Sequence, residues 1–138
     1  MKINAKVHNS AGQHLVTLRT DDQAHSLSIP PKATGLGSSA NGGELLFLAL
    51  ATCYCNDIYR EATKRNINVT EVEVEVEGEF GGVGEPAKQI AYRAKVTAQA
   101  SEAEILELMR HTDQVAEIQN TLRLGIPVTL SAIAAVSV

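Results

Sequence analysis

At 138 residues the chain suffices for one domain, or for one that completes itself with a second copy, and 44% apolar residues are ample for a core. With no Trp, two Phe and three Tyr, that core is built from Leu, Ile, Val and Ala. A formal charge of −4 and the absence of any Lys/Arg run exclude a nucleic-acid footprint or an anionic-membrane partner, and the longest apolar run, residues 45–51, is far too short to span a bilayer.

Residues 2–7, 13–19 and 24–29 read as three short strands. Ile3, Ala5 and Val7 alternate with Lys2, Asn4 and Lys6, and the turn His8–Gly12 separates the first two. This opening pattern is that of a strand and not of a signal peptide. Pro30 and Pro31 end the third strand, because neither can donate to a ladder. A Gly/Ser/Pro loop over residues 30–43 follows.

Asn41 with Glu44 three residues on forms a capping-box pattern, which starts a long helix at Gly42 and carries it to about Asn66. Its first half is apolar on almost every face, the mark of a helix at the centre of a fold or of a dimer. Asp57, Arg60, Glu61, Lys64 and Arg65 mark where it emerges into water. Both cysteines, Cys53 and Cys55, sit in this helix. Two thiols two residues apart do not make a disulfide framework, and a cytoplasmic location is the expectation.

Residues 70–80 and 88–99 are predicted strands joined by the turn Gly81–Pro86. Val72, Val74 and Val76 face one way and Glu71, Glu73, Glu75 and Glu77 the other. Ile90, Tyr92, Ala94, Val96 and Ala98 answer the valines, and Arg93 and Lys95 answer the glutamates, so the glutamate run is a solvated sheet face. Ser101 and Glu104 form a second capping box. It opens a helix with apolar residues at Ile105, Leu108, Met109, Val115, Ala116 and Leu122, which breaks or bends before Gly125-Ile-Pro127. Residues 126–137 alternate as a last strand. The order (three strands, helix, two strands, helix, strand) predicts a single α+β domain over 1–138 with antiparallel sheet.

Four segments in this order resemble the family of osmotically inducible protein C and the organic hydroperoxide resistance proteins (OsmC/Ohr). They are the Pro-Pro and Gly/Ser loop, Asn41-x-x-Glu-Leu-Leu leading to Leu-Ala-Leu-Ala-Thr-Cys53, the following strand pair, and Asn120-Thr-Leu-Arg-Leu-Gly-Ile-Pro-Val128. The resemblance implies an OsmC-like fold: antiparallel sheets around a long central apolar helix in an intertwined homodimer, with thiol sites at the subunit interface. It further implies a peroxidase built from a Cys on the central helix, a Glu ten residues earlier, an N-terminal Arg and a second Cys on the later helix. Cys53 matches the first, and it alone. Gly43 stands ten residues before it with Glu44 next door, Ala116 falls where the second thiol belongs, and the N-terminal turn holds His8, Asn9 and Gln13 but no Arg.

The chemistry at Cys53 therefore needs a new source of charge. Reaction with peroxide requires a thiolate, hence a pKa below the usual value of about 8.5. Cys53 lies on the order of 18 Å from the helix N-terminus, beyond the reach of its dipole. Burial among Leu48, Leu50 and Ile58 would raise the pKa. Arg19, Arg60, Arg93 and Arg110 are the candidate cations, and His111 is a candidate proton donor or an exposed helical histidine.

Cys53 and Cys55 point about 200° apart on a helix, so neither a disulfide between them nor a Cys-x-Cys metal site forms there, and the four histidines show no ligand spacing. No cofactor or metal is expected. Two functions follow. One is a Cys53-dependent reduction of organic hydroperoxides with an external thiol as reductant. The alternative is a catalytically inactive dimer that binds a small hydrophobic ligand at the subunit interface.

Overall fold

The computed structural model describes all 138 residues and contains five strands and three helices in an α+β arrangement. In chain order these are β1 (Ile3–Ser10), β2 (Gln13–Thr20), β3 (Gln23–Ser26), α1 (Gly42–Lys64), β4 (Asn68–Glu79), β5 (Lys88–Gln99), α2 (Glu102–Val115) and α3 (Glu117–Leu124). The chain divides into two compact units, Met1–Leu46 and Phe47–Val138, with the division inside α1.

The first unit is an antiparallel sheet in the order β1-β2-β3. Its first hairpin is tighter than expected. β1 runs on to Ser10, and Asn9 and Ser10 pair with His14 and Gln13, because the two-residue turn needs only Gly12 in the left-handed region (φ 71°). Asn9 also pins the Gly/Ser loop: its amide donates to the Gly37 carbonyl (3.2 Å) and accepts from the Gly37 N–H (3.1 Å). The capping box at the start of α1 is present, with Glu44 N–H donating to Asn41 (2.8 Å) and Asn41 N–H donating to Glu44 (3.0 Å).

In the second unit β4 and β5 form the hairpin expected from their alternation. Val72 pairs with Val96, Val74 with Ala94 and Val76 with Tyr92, while Glu73 faces Lys95 and Glu75 faces Arg93. The glutamate face is in water and Arg93 bridges Glu75 and Glu77 across it (3.0 and 3.4 Å). The valine face receives α1 and α2. Tyr54, Ile58 and Ala62 of α1 and Leu108 of α2 form the buried centre, with Val72, Val74, Ala94 and Val96 packed against it. The Tyr54 hydroxyl donates to the Met109 carbonyl (2.8 Å), so the aromatic fills the core and its polar end still finds a partner.

The break expected before Gly125 falls at Ala116 (φ −70°, ψ 107°), so the later helix is two helices. The capping box Ser101/Glu104 opens α2, and Gly125 closes α3 in the left-handed conformation. The strand read over 126–137 is absent. Alternating side chains make a strand only where a neighbour satisfies its backbone, and neither sheet pairs with this segment. Val128, Leu130, Ile133 and Val136 consequently stand in solvent.

Leu108, fully buried between α1 and the sheet, gives the first prediction. Leu108→Ala lowers stability by about 2–5 kcal/mol, seen as a lower urea midpoint at unchanged slope.

Candidate functional site around Cys53

The amphipathic half of α1 places Cys53, Asp57, Arg60, Glu61 and Lys64 along one helical stripe at i, i+4, i+7, i+8 and i+11. The break at Ala116 redirects the chain so that α3 starts against this stripe. Gln119 fixes the approach by donating its amide to the Leu50 carbonyl (3.0 Å), one turn before Cys53.

Cys53 Sγ is half-buried and donates toward two carboxylates, Asp57 Oδ2 at 3.5 Å and Glu117 Oε2 at 3.8 Å. The other oxygen of each carboxylate meets the same nitrogen of Arg60, at 2.9 Å for Asp57 and 3.0 Å for Glu117. Arg60 Nε reaches Glu61 at 2.8 Å. Asp57 and Glu61, expected where the helix emerges into water, are instead buried (6% and 4% exposed), and Glu61 also takes Lys64 Nζ at 2.9 Å and His111 Nε2 at 3.3 Å. One guanidinium thus serves three carboxylates on two helices, with the thiol on the inner side of the cluster.

Each titration follows from these contacts. Burial pushes the Cys53 thiol above its ordinary 9.0, opposed by the Ile118 backbone N–H and helped by the Asp57 and Glu117 carboxylates. Burial also raises Asp57, helped by the neighbouring Glu117 and opposed by Arg60. Glu117 is lowered, first by its own backbone N–H at the start of α3 and then by Asp57 and Arg60. Glu61 is held down at about 2, chiefly by Lys64 and Arg60. The sulfur therefore rests as a thiol donor. The means of making it a thiolate lie alongside: a helix N-terminus whose N-cap, Ala116, supplies no side-chain bond, and a guanidinium two bonds of the network away.

Cys53, Asp57 and Glu117 also bring one potential ligand atom each within 4.8 Å of one another. Arg60 already holds the outer oxygens of both carboxylates, so the charge a cation would supply is provided from within the chain.

Of the candidate cations, Arg60 alone joins this cluster. Arg93 belongs to the sheet face, Arg110 to an open cleft beside Tyr54 and Tyr92, and Arg19 to β2 of the first unit. His111 reaches Glu61, on the far side of the cluster from the contacts of the sulfur. Cys55 is a free thiol, as is Cys53. Glu44 is engaged in the cap of α1. Leu48, expected around Cys53, is 55% exposed. Asp57 and Glu117 were not singled out by sequence reasoning. The spacing Cys53-x3-Asp57-x2-Arg60 on one helix was the available signal for the first, and nothing local marked the second.

A cavity of about 220 Å³ adjoins the site, lined by Leu50, Ile90, Tyr92, Gln119, Leu122 and Arg123. The Oε1 atom of Gln119 is buried there without a hydrogen-bond partner.

The sequence profile of the OsmC-like proteins matches residues 35–131, and the chain belongs to that family. Among solved structures it is similar to an OsmC-like protein from Mycoplasma pneumoniae, with 19% identity, 87% of each chain covered and a TM-score of 0.61. It is also similar to an organic hydroperoxide resistance protein OsmC from Legionella pneumophila (19% identity, 89% of this chain and 90% of that one, TM-score 0.52). A third similar structure is an organic hydroperoxide resistance protein from Elizabethkingia anophelis, at 17% identity, 91% and 90% coverage and a TM-score of 0.53. No curated protein sequence matches the chain. No helix is long and apolar enough to cross a membrane.

The Glu61 network sets a pH dependence. A carboxylate depressed from 4.5 to about 2 contributes stability that is present above 4.5 and lost as pH falls toward 2. Glu61→Gln is expected to be less stable than the parent at pH 6, with the difference shrinking below pH 4.5 and closing near pH 2 in urea titrations.

Proposed function

We propose that the protein reduces organic hydroperoxides at Cys53, with an external thiol restoring the enzyme. The observation that carries this reading is the placement of Cys53 Sγ, half-buried on the long helix with the Asp57 carboxylate at 3.5 Å to take its proton. The similar proteins from Legionella and Elizabethkingia, described as organic hydroperoxide resistance proteins, support it.

The chain's groups carry the steps in balance. Cys53 passes its proton to Asp57, and the resulting thiolate attacks the terminal oxygen of the hydroperoxide. As the S–O bond forms the O–O bond breaks, and the leaving alkoxide takes the proton from Asp57 to depart as an alcohol. The sulfur is left as a sulfenic acid. An external thiol condenses with it, releasing water and leaving a mixed disulfide, and a second thiol frees Cys53 while forming the external disulfide. External reduction is required because Ala116 occupies the position of the family's second thiol. A thiol-reduced compartment, the cytoplasm, suits this cycle.

A homodimer belongs to the same proposal. The unpaired segment 126–138 carries six exposed large apolar side chains, and a second copy of the chain offers sheet edges and apolar surface to cover them.

The raised thiol and the apolar cavity beside Leu50 and Gln119 favour a second reading, a dimer that binds a small hydrophobic ligand without turnover. Consumption of cumene hydroperoxide with a dithiol reductant separates the two. The peroxidase reading expects turnover in the parent and in Cys55→Ser, and a loss of at least about a hundredfold in Cys53→Ser. Equal turnover in Cys53→Ser and the parent would sink it, and no turnover in any of the three leaves ligand binding as the function.

A further inference from the structure

We propose that Glu117 is the gate on Cys53. Its carboxylate, seated between the sulfur and the Arg60 guanidinium, holds Cys53 as a thiol, and its withdrawal into solvent exposes a nucleophile. The proposal rests on the reading of Cys53 as the reacting thiol and adds a regulating residue to that site.

The two carboxylates at the sulfur are not equivalent. Asp57 lies on α1, 6% exposed, with one oxygen at the sulfur and the other held by Arg60 at 2.9 Å. The Glu117 side chain is 62% exposed and belongs to the first residue of α3. Rotation of that one side chain takes its carboxylate into water at little cost. Three changes then fall on Sγ together. It loses one of its two acceptors, it loses one of the two negative charges beside it, and Arg60 is left with one carboxylate fewer to neutralise. The Ile118 N–H stays in place, because it belongs to the backbone of α3, which Gln119 anchors to Leu50.

No other charge interferes. The charged or titratable groups in contact with the sulfur are Asp57 from α1 and Glu117 from α3. Behind them stand Arg60 and then Glu61, whose own charge is matched by Lys64 and by His111 from α2. Glu117 is thus the exposed member of the cluster that touches the thiol directly. It is a positioning residue: it acts on peroxide only through the protonation of Cys53.

The test needs no peroxide. In a Cys55→Ser background, which leaves one thiol, thiolate absorbance at 240 nm is followed against pH and the rate of iodoacetamide alkylation is measured at pH 7. Glu117→Gln keeps hydrogen-bonding atoms at the start of α3 and removes the charge. It is expected to titrate at lower pH and to react roughly fivefold or more faster than the parent. Arg60→Gln, an independent variant, is expected to titrate at higher pH and to react more slowly. A Glu117→Gln protein that titrates at or above the parent, or an Arg60→Gln protein that moves in the same direction as Glu117→Gln, would overturn the gate. Opposite shifts in the two variants with no hydroperoxide consumption in any protein would uphold the gate and reject the peroxidase reading. Turnover in the parent with an unmoved Glu117→Gln titration would reject the gate alone.

Discussion

The Arg60 guanidinium is the constraint on which the second unit's functional region depends. Two carboxylates of α1, Asp57 and Glu61, are almost wholly buried, and carboxylates at such depth persist as anions only beside a fixed positive charge. Arg60, one turn after Asp57 and next to Glu61 in the chain, supplies it. Its remaining reach goes to Glu117 at the start of α3, while the Gln119 bond to the Leu50 carbonyl holds α3 itself against α1.

The chemistry of Cys53 is a balance struck inside this cluster. Burial and two carboxylates favour the thiol, and the Ile118 N–H and the guanidinium favour the thiolate. The family resemblance implies a carboxylate ten residues before the cysteine, an arginine from the N-terminal turn and a second thiol on the later helix. This chain has Gly43 and Ala116 at the first and last of these positions, yet a carboxylate and an arginine still converge near the sulfur from Asp57, Arg60 and Glu117. Ala116 itself immediately precedes Glu117, so the segment that lacks the second thiol is nonetheless the segment that meets the first. In this chain the charges beside the cysteine come from Asp57, Arg60 and Glu117.

How much of this could be read from the sequence depended on the range of the interaction. The β4–β5 hairpin, both capping boxes and the start of α1 were legible because alternation and cap chemistry act over a few residues. Cys53, Asp57 and Arg60 were legible in principle as a stripe on one helix, although sequence reasoning weighed Arg60 among four cations and passed over Asp57. Glu117 was not legible. Its approach depends on a helix break at Ala116, a residue with no turn signal of its own, and on a contact 64 residues distant in the chain. Residues 126–137 show the reverse failure. Their pattern is that of a strand, but pairing is a property of two segments, and a partner cannot be read from one.

The most direct test of Cys53 as the site of peroxide chemistry is to identify which sulfur is oxidised. The protein would be exposed to one equivalent of cumene hydroperoxide in the presence of dimedone, which traps sulfenic acid, and the labelled peptide located by mass spectrometry. The label is predicted on Cys53, with Cys55 still a free thiol. Label on Cys55, or on neither cysteine, would contradict the assignment.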